Sequence, residues 1–392
     1  MKTRLHLPDG IEDLLQPAAW QFEQLRRSVL DLFASWGFQY VEPPVVEYLD
    51  TLLVSSSTDL DLQTLKVLDQ LSGKQLGVRA DLTSQVIRID AQRHRENDIE
   101  RYCYAGPVVY ASPTSAVNRT RLPFKVGVEI FGAEEISADA EVVNLMLETV
   151  LMTGVSEPVL LLGHMGVYQA MVAALVDQED LAIEDEPRLF KSVQLKSQSD
   201  IEQLLKPSEL TDYMKKLPTV MGDDLNELSL EMDGAPKRVH LAIQELKELT
   251  ALIDISQASL RFDLAELHGY GYHNGPVYSV YHPKFGSALA QGGRYDGTLD
   301  DEEGNTRPAT GFDMDLKVVL KGTEGIEGPE GELIFAPFLE GKDRETLIEV
   351  VTDLRADGKR VMCALSLSEQ PSNLCTHILL LKDDQWVVSE IV

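Results

Sequence analysis

Ala290-Gln291-Gly292-Gly293-Arg294-Tyr295-Asp296-Gly297, followed closely by Ala309-Thr310-Gly311-Phe312-Asp313-Met314-Asp315-Leu316, is the stretch that decides how this chain is read. Adjacent glycines let a backbone pass close to a ligand, because no Cβ stands in the way. The Arg-Tyr-Asp behind them offers a planar cation, an amphipathic ring and an anion within three residues. Together they mark a candidate binding segment.

Outward from that segment, strands begin at about Leu260. The preceding region, about 166–260, is rich in Leu, Lys and Glu, and has helical periods over Asp200–Leu205, Glu209–Leu217 and Pro236–Leu252. It reads as a helical insertion. Further upstream, a helix over Ala18–Trp36 should stop at Gly37. The run Gly37–Val46 then alternates like a strand but carries Pro43 and Pro44, which confines it to an edge or an interface. Strands are expected at Gly77–Arg79, Ile99–Val109, Phe124–Phe131 and Val159–Leu162, with helices over Leu82–Ala91 and Asp139–Leu151. Downstream, the glycine-rich polar stretch 321–331 is the clearest linker. Beyond it, residues 332–392 read β-α-β-β, a small C-terminal α/β domain, leaving residues 1–320 as one large domain.

Charged residues make up 25% of the 392 and hydrophobic ones 44%, ordinary values for a globular chain. The balance is not ordinary: 35 Lys+Arg against 64 Asp+Glu give a net charge of -29. Nucleic acids are bound through clustered cations, so this composition argues against tRNA, although a local basic patch can sit in an acidic chain. The other reading of the acidity is solubility, or a cold or salty habitat. Cys103, Cys363 and Cys375 are widely spaced and form no CxxC pair, so neither a metal site nor a disulfide framework is expected. The N-terminus lacks an apolar leader, and no run approaches the ~20 apolar residues of a membrane span. The expectation is a cytoplasmic protein with no membrane segment.

The Ala290–Gly297 segment resembles the histidine-recognition segment of histidyl-tRNA synthetase, a class II aminoacyl-tRNA synthetase, and three further segments match that family in order. In Val78-Arg79-Ala80-Asp81-Leu82-Thr83, the resemblance implies that Asp81 and Thr83 take the ligand's amino group; Asp81 reads equally as the N-cap of the following helix. In Lys125-Val126-Gly127-Val128-Glu129-Ile130-Phe131, a lone Glu129 in an apolar strand is costly to bury unless a cation meets it. That cation is either a ligand ammonium or a partner within the core. Lys125 departs from the family's glutamine and would repel an ammonium if it pointed inward. Tyr272 and His273 fall on two family tyrosines that line the histidine side chain, and the competing reading is core filler. Arg294 and Tyr295 complete the expected histidine-binding set. The resemblance implies an α+β class II synthetase-like fold, with an antiparallel sheet, flanking helices, the helical insertion and the small C-terminal domain. The helix-to-proline-strand pattern at Gly37 resembles motif 1 of that class, which implies a homodimer.

Activating an amino acid with ATP brings two anions together and needs guanidiniums placed in advance. Where the family has arginines, this chain has Tyr110, His268 and Val318. Asp313 and Asp315 would repel phosphate nearby. The C-terminal piece is short for an anticodon-binding domain and carries acids at Asp383 and Asp384. An amino-acid pocket without nucleotide chemistry resembles the ATP phosphoribosyltransferase regulatory subunit family. That resemblance implies a chain with no catalytic residues or cofactor of its own, free histidine as ligand, and a short-form ATP phosphoribosyltransferase catalytic subunit as partner in a hetero-oligomer. A divergent histidyl-tRNA synthetase, or a histidine-sensing relative with another partner, are the alternatives.

Overall fold

A nine-stranded sheet carries the structure, a computed structural model that describes residues 6–53, 58–93, 98–113, 119–267, 272–297, 307–322 and 331–391. The chain divides into two compact units, Met1–Ile326 and Glu327–Val392. Most of the 321–331 stretch expected as a linker lies outside the described residues. Among those residues no helix is long and apolar enough to cross a membrane.

The sheet's centre is antiparallel: Glu100–Pro107, Phe124–Phe131, Pro308–Asp315, Ala290–Asp296, His273–Tyr281 and Val159–His164 lie side by side in that order. Side chains alternate between its faces. Val126, Val128 and Ile130 point to one side and join the main core with Phe312 and Met314. That core is closed by helices Ala18–Ser35, Ile136–Met152 and Lys237–Leu252, whose buried residues fall at helical spacing, as in Leu25, Val29 and Phe33. Glu129 and Phe131 face the other way. There Tyr102, Tyr104, Phe131 and Tyr295 pack with Leu82 and with Val86 and Ile87 of the following helix Thr83–Arg93.

The insertion is helical, as its periodicity suggested, and its buried residues belong to the main core, with two strands, Met221–Gly222 and Ser259–Asp263, extending the sheet. The proline-bearing stretch after Gly37 forms a two-residue edge strand, Gln39–Tyr40, and after its prolines Val46 opens a second strand, Val46–Tyr48, in a separate three-stranded sheet. Its prolines cannot donate to a ladder, but their carbonyls accept: Pro43 O from Arg79 Nη1 (2.7 Å) and Pro44 O from Gln85 Nε2 (2.7 Å). In the C-terminal unit a fifth element follows the expected β-α-β-β, the strand Gln385–Glu390. Asp383 and Asp384, with φ of 48° and 59°, form the two-residue turn that joins it to His377–Lys382. Two successive left-handed residues match the twist of a hairpin, and Asp tolerates that conformation. These acids are therefore turn formers first.

Candidate functional site

On the aromatic face of the sheet lies a cavity of about 240 Å³. It falls below the ~300–1,000 Å³ of pockets for drug-sized ligands, a scale that suits an amino acid. Its floor is set by strand register. Glu129 pairs with Gly311, and Gly311 with Gly293, so a row across three strands carries one side chain, the carboxylate. A Cβ on Gly311 would stand 1.9 Å from Glu129 Oε2. Gly292 serves the packing of strands instead: its Cβ would lie 2.1 Å from Gly311 O and 2.5 Å from the Tyr278 ring. Gly311→Ala is therefore expected to displace the Glu129 carboxylate and abolish ligand binding. Calorimetric titration checks this, and unchanged affinity would contradict the register.

Glu129 is 2% exposed and touches no fixed cation among the described residues. Its Oε1 accepts from Thr83 Oγ1 (2.9 Å) and Tyr104 OH (3.3 Å), and its Oε2 from Tyr295 OH (2.8 Å). Burial pushes its pKa from 4.5 up to about 8; the Tyr295 and Thr83 hydrogen bonds oppose the rise, while Asp81 and Asp313 add to it. The reading of Glu129 as half of an ion pair within the core is not what the structure has. Asp81 lines the cavity beside Thr83. Its carboxyl is raised by burial and by Asp313, against Lys125 and the N–H groups of Leu82 and Thr83 that hydrogen-bond to it. Asp81 is thus a cavity wall one residue before the cap position, which falls to Leu82, whose carbonyl accepts the helix's first hydrogen bonds from Gln85 N and Val86 N. Tyr272 stacks on Tyr295, with ring centroids 4.6 Å apart, and meets His273 edge-on at 5.1 Å. The Tyr272 hydroxyl is buried and makes no hydrogen bond of ordinary geometry, a polar tip left over for a ligand.

Arg294 is the correction to the expected set. It follows Gly293 and precedes Tyr295 on a strand, so the alternation that turns Tyr295 into the cavity turns Arg294 away from it. Its Nε and Nη2 bond Asp139 Oδ2 (2.9 and 2.5 Å), and it also donates to the carbonyls of Ala133 and Glu135. It ties the sheet to helix Ile136–Met152. Three cavity residues went unassigned in the sequence: Gln291, Asp313 and Phe312 line it, and Tyr104 supports Glu129 from below. Strand spacing (Gln291, Gly293, Tyr295) was the available signal for the first. Tyr104, two residues after Tyr102 in the strand Glu100–Pro107, offered none that sets it apart.

No guanidinium lines the cavity among the described residues. Tyr110 is half-buried against the aromatic cluster, and Val318 packs on the main core; His268 lies outside the described residues. Buried Arg79 is spent on the carbonyls of Pro107 and Pro43, and Arg121 on those of Tyr110 and Asp9. Arg307 holds Asp90, Arg88 holds Glu47 and Arg101 holds Glu141. Lys125 is not directed at Glu129 but paired with Asp313. Burial opposes the Lys125 charge, yet Asp313, Tyr110 and Asp315 outweigh it and hold the ammonium above its ordinary range. Asp315 caps the short helix Leu316–Leu320 through Lys317 N (3.0 Å).

The family model of histidyl-tRNA synthetase matches residues 10–319, and that of the ATP phosphoribosyltransferase subunit HisZ C-terminal domain matches residues 331–389. An ATP phosphoribosyltransferase regulatory subunit of Chromohalobacter salexigens is 41% identical, over 92% of this chain and 91% of that protein. One from Alkalilimnicola ehrlichii is 39% identical, over 92% and 90%. Among solved structures, an ATP phosphoribosyltransferase regulatory subunit/histidyl-tRNA synthetase from Bacillus halodurans superposes with a TM-score of 0.77 at 24% identity, covering 92% of each chain. Histidyl-tRNA synthetase from Nostoc sp. also gives 0.77, at 15% identity, covering 99% of this chain and 97% of that one. Those two likenesses establish the class II synthetase-like fold. With both family models matched in sequence and the regulatory relatives aligned nearly end to end, the chain belongs to the ATP phosphoribosyltransferase regulatory subunit family.

Proposed function

We propose that this chain is the non-catalytic regulatory subunit of an ATP phosphoribosyltransferase in histidine biosynthesis. In this reading it activates a short catalytic subunit and conveys feedback by free histidine. The observation that carries the reading is the mismatch within the cavity. Asp81, Thr83 and Glu129 suit an ammonium, and Tyr272, His273 and Tyr295 suit an imidazole. Nothing among the described lining residues stabilises a phosphate in transfer, where each lost donor typically costs about 3–4 kcal/mol. A net charge of -29 also disfavours tRNA. The exposed apolar side chains of Tyr40 in the edge strand and of Val45, Val46 and Tyr48 shortly after it support a homodimer within the larger assembly.

Feedback needs histidine to bind two states of the complex unequally, and such coupling typically amounts to about 1–3 kcal/mol. The test is reconstitution with a short-form catalytic subunit. Turnover is expected to rise when this chain is added. Histidine should inhibit the complex, and Thr83→Ala should weaken that inhibition while the complex still assembles. A catalytic subunit indifferent to the chain would contradict the proposal.

A further inference from the structure

A free amino acid brings a carboxylate as well as an ammonium, yet among the described residues the cavity wall offers three acids, Asp81, Glu129 and Asp313, and no lysine or arginine. The cation adjoining the wall is Lys125, bonded to Asp313. Resting on the histidine reading above, we infer that the Lys125–Asp313 pair is the carboxylate end of the site, with Lys125 the residue that selects ligands bearing an α-carboxylate.

Register places the pair suitably. Gly311 stands opposite Glu129 and Asp313 opposite Gly127, so Asp313 lies one row from the Glu129 carboxylate; Lys125, one row further and opposite Asp315, reaches back to it with its ammonium. Two strand residues advance about 7 Å, a span that two charge-assisted hydrogen bonds of about 2.8 Å each and the ligand's α-carbon would bridge. Lys125, Gly127 and Glu129 share a face of their strand, and Gly127 leaves the middle place to the Tyr104 hydroxyl, which a Cβ there would meet at 2.5 Å. An ammonium has three donors, so Lys125 can hold Asp313 and a ligand carboxylate together. Asp81, Asp315 and the Tyr110 phenol are the other groups whose charge acts on it. The phenol stands where the related synthetases place a guanidinium, which leaves Lys125 as the cation for this end. Asp313 keeps the lysine charged and positions it, and the ligand ammonium goes to Asp81 and Glu129.

The experiment is calorimetric titration of the full-length chain with L-histidine and with L-histidinol, which differs in carrying a hydroxymethyl group for the carboxylate. The wild type is expected to prefer histidine by tenfold or more, the scale of one hydrogen bond to a charged group. Lys125→Gln should weaken histidine about tenfold or more, leave histidinol nearly unchanged, and so erase the preference. The double variant Lys125→Gln/Asp313→Asn removes both charges of the pair together, and should show the same loss if the single variant folds poorly. Retained preference for histidine in either folded variant overturns the inference while leaving the histidine site standing. A wild-type chain that binds neither compound overturns the histidine reading itself, and the inference with it.

Discussion

Glu129→Gln is expected to weaken histidine roughly a hundredfold while leaving the ligand-free chain at least as stable as the wild type. The glutamine amide fills the same space, and the hydroxyls of Thr83, Tyr104 and Tyr295 can turn to accept or donate. What it lacks is the charge that an ammonium needs. Stability moves the other way. The Glu129 carboxyl, pushed up to about 8, keeps its proton in the folded chain over a range where the unfolded chain, near 4.5, has lost it. The folded form thus binds the extra proton, and wild-type stability falls as pH rises through that window, levelling off above it. The variant is free of this slope. Its melting temperature should exceed that of the wild type by more at about pH 8.5 than at about pH 5. Ligand binding adds a linked signature. An ammonium favours the ionised carboxylate, so histidine should release a proton near neutral pH from the wild type and not from the Glu129→Gln variant. Calorimetry in buffers of different ionisation enthalpy measures that release. An equal stability gap at both pH values would contradict the burial argument.

Arg294→Ala should destabilise the large unit by about 3–5 kcal/mol, the usual result of removing one partner of a buried ion pair. The Asp139 side chain is fully buried and the Arg294 side chain 12% exposed. Without the guanidinium, Asp139 keeps the Thr310 hydroxyl (2.7 Å), and the carbonyls of Ala133 and Glu135 lose a donor. Burial already raises the Asp139 carboxyl against the pull of Arg294. Replacing both partners with apolar residues, Arg294→Met with Asp139→Leu, should recover much of the loss, because no buried charge is then left alone. Urea midpoints provide the comparison. An exposed pair such as Arg261–Asp223 serves as the reference, where the same truncation should cost no more than about 1 kcal/mol. A loss that small at Arg294 would show that the network does not hold helix Ile136–Met152 to the sheet.

The contrast between Arg294 and its neighbour shows where sequence reasoning reaches and where it stops. Glu129 stands out because an acid in an apolar strand needs a partner, and the expected strand Phe124–Phe131 is the observed one. Helix Thr83–Arg93 is readable from short-range periodicity, although its cap position falls to Leu82 and not to Asp81. Arg294 and Tyr295 read as one binding unit because they adjoin in sequence, although a strand sends adjacent side chains to opposite faces. The pairing of Asp313 with Lys125 joins residues far apart in the chain through register, which no local pattern encodes. The two-residue strand Met221–Gly222 has no local signal for the same reason: its stability comes from neighbours further down the chain, Asp263 and Phe262, and not from its own composition. Asp383 and Asp384 read as charges in the sequence, whereas their backbone geometry matters more.

Histidine-dependent exchange of pyrophosphate into ATP by the isolated chain tests the central claim most directly, since that reaction requires both an amino-acid site and cations for the phosphates. A cavity lined, among the described residues, by acids and hydroxyls with no guanidinium predicts no exchange above the protein-free background, under conditions where a histidyl-tRNA synthetase exchanges readily. Exchange that depends on histidine and disappears in Glu129→Gln would contradict it.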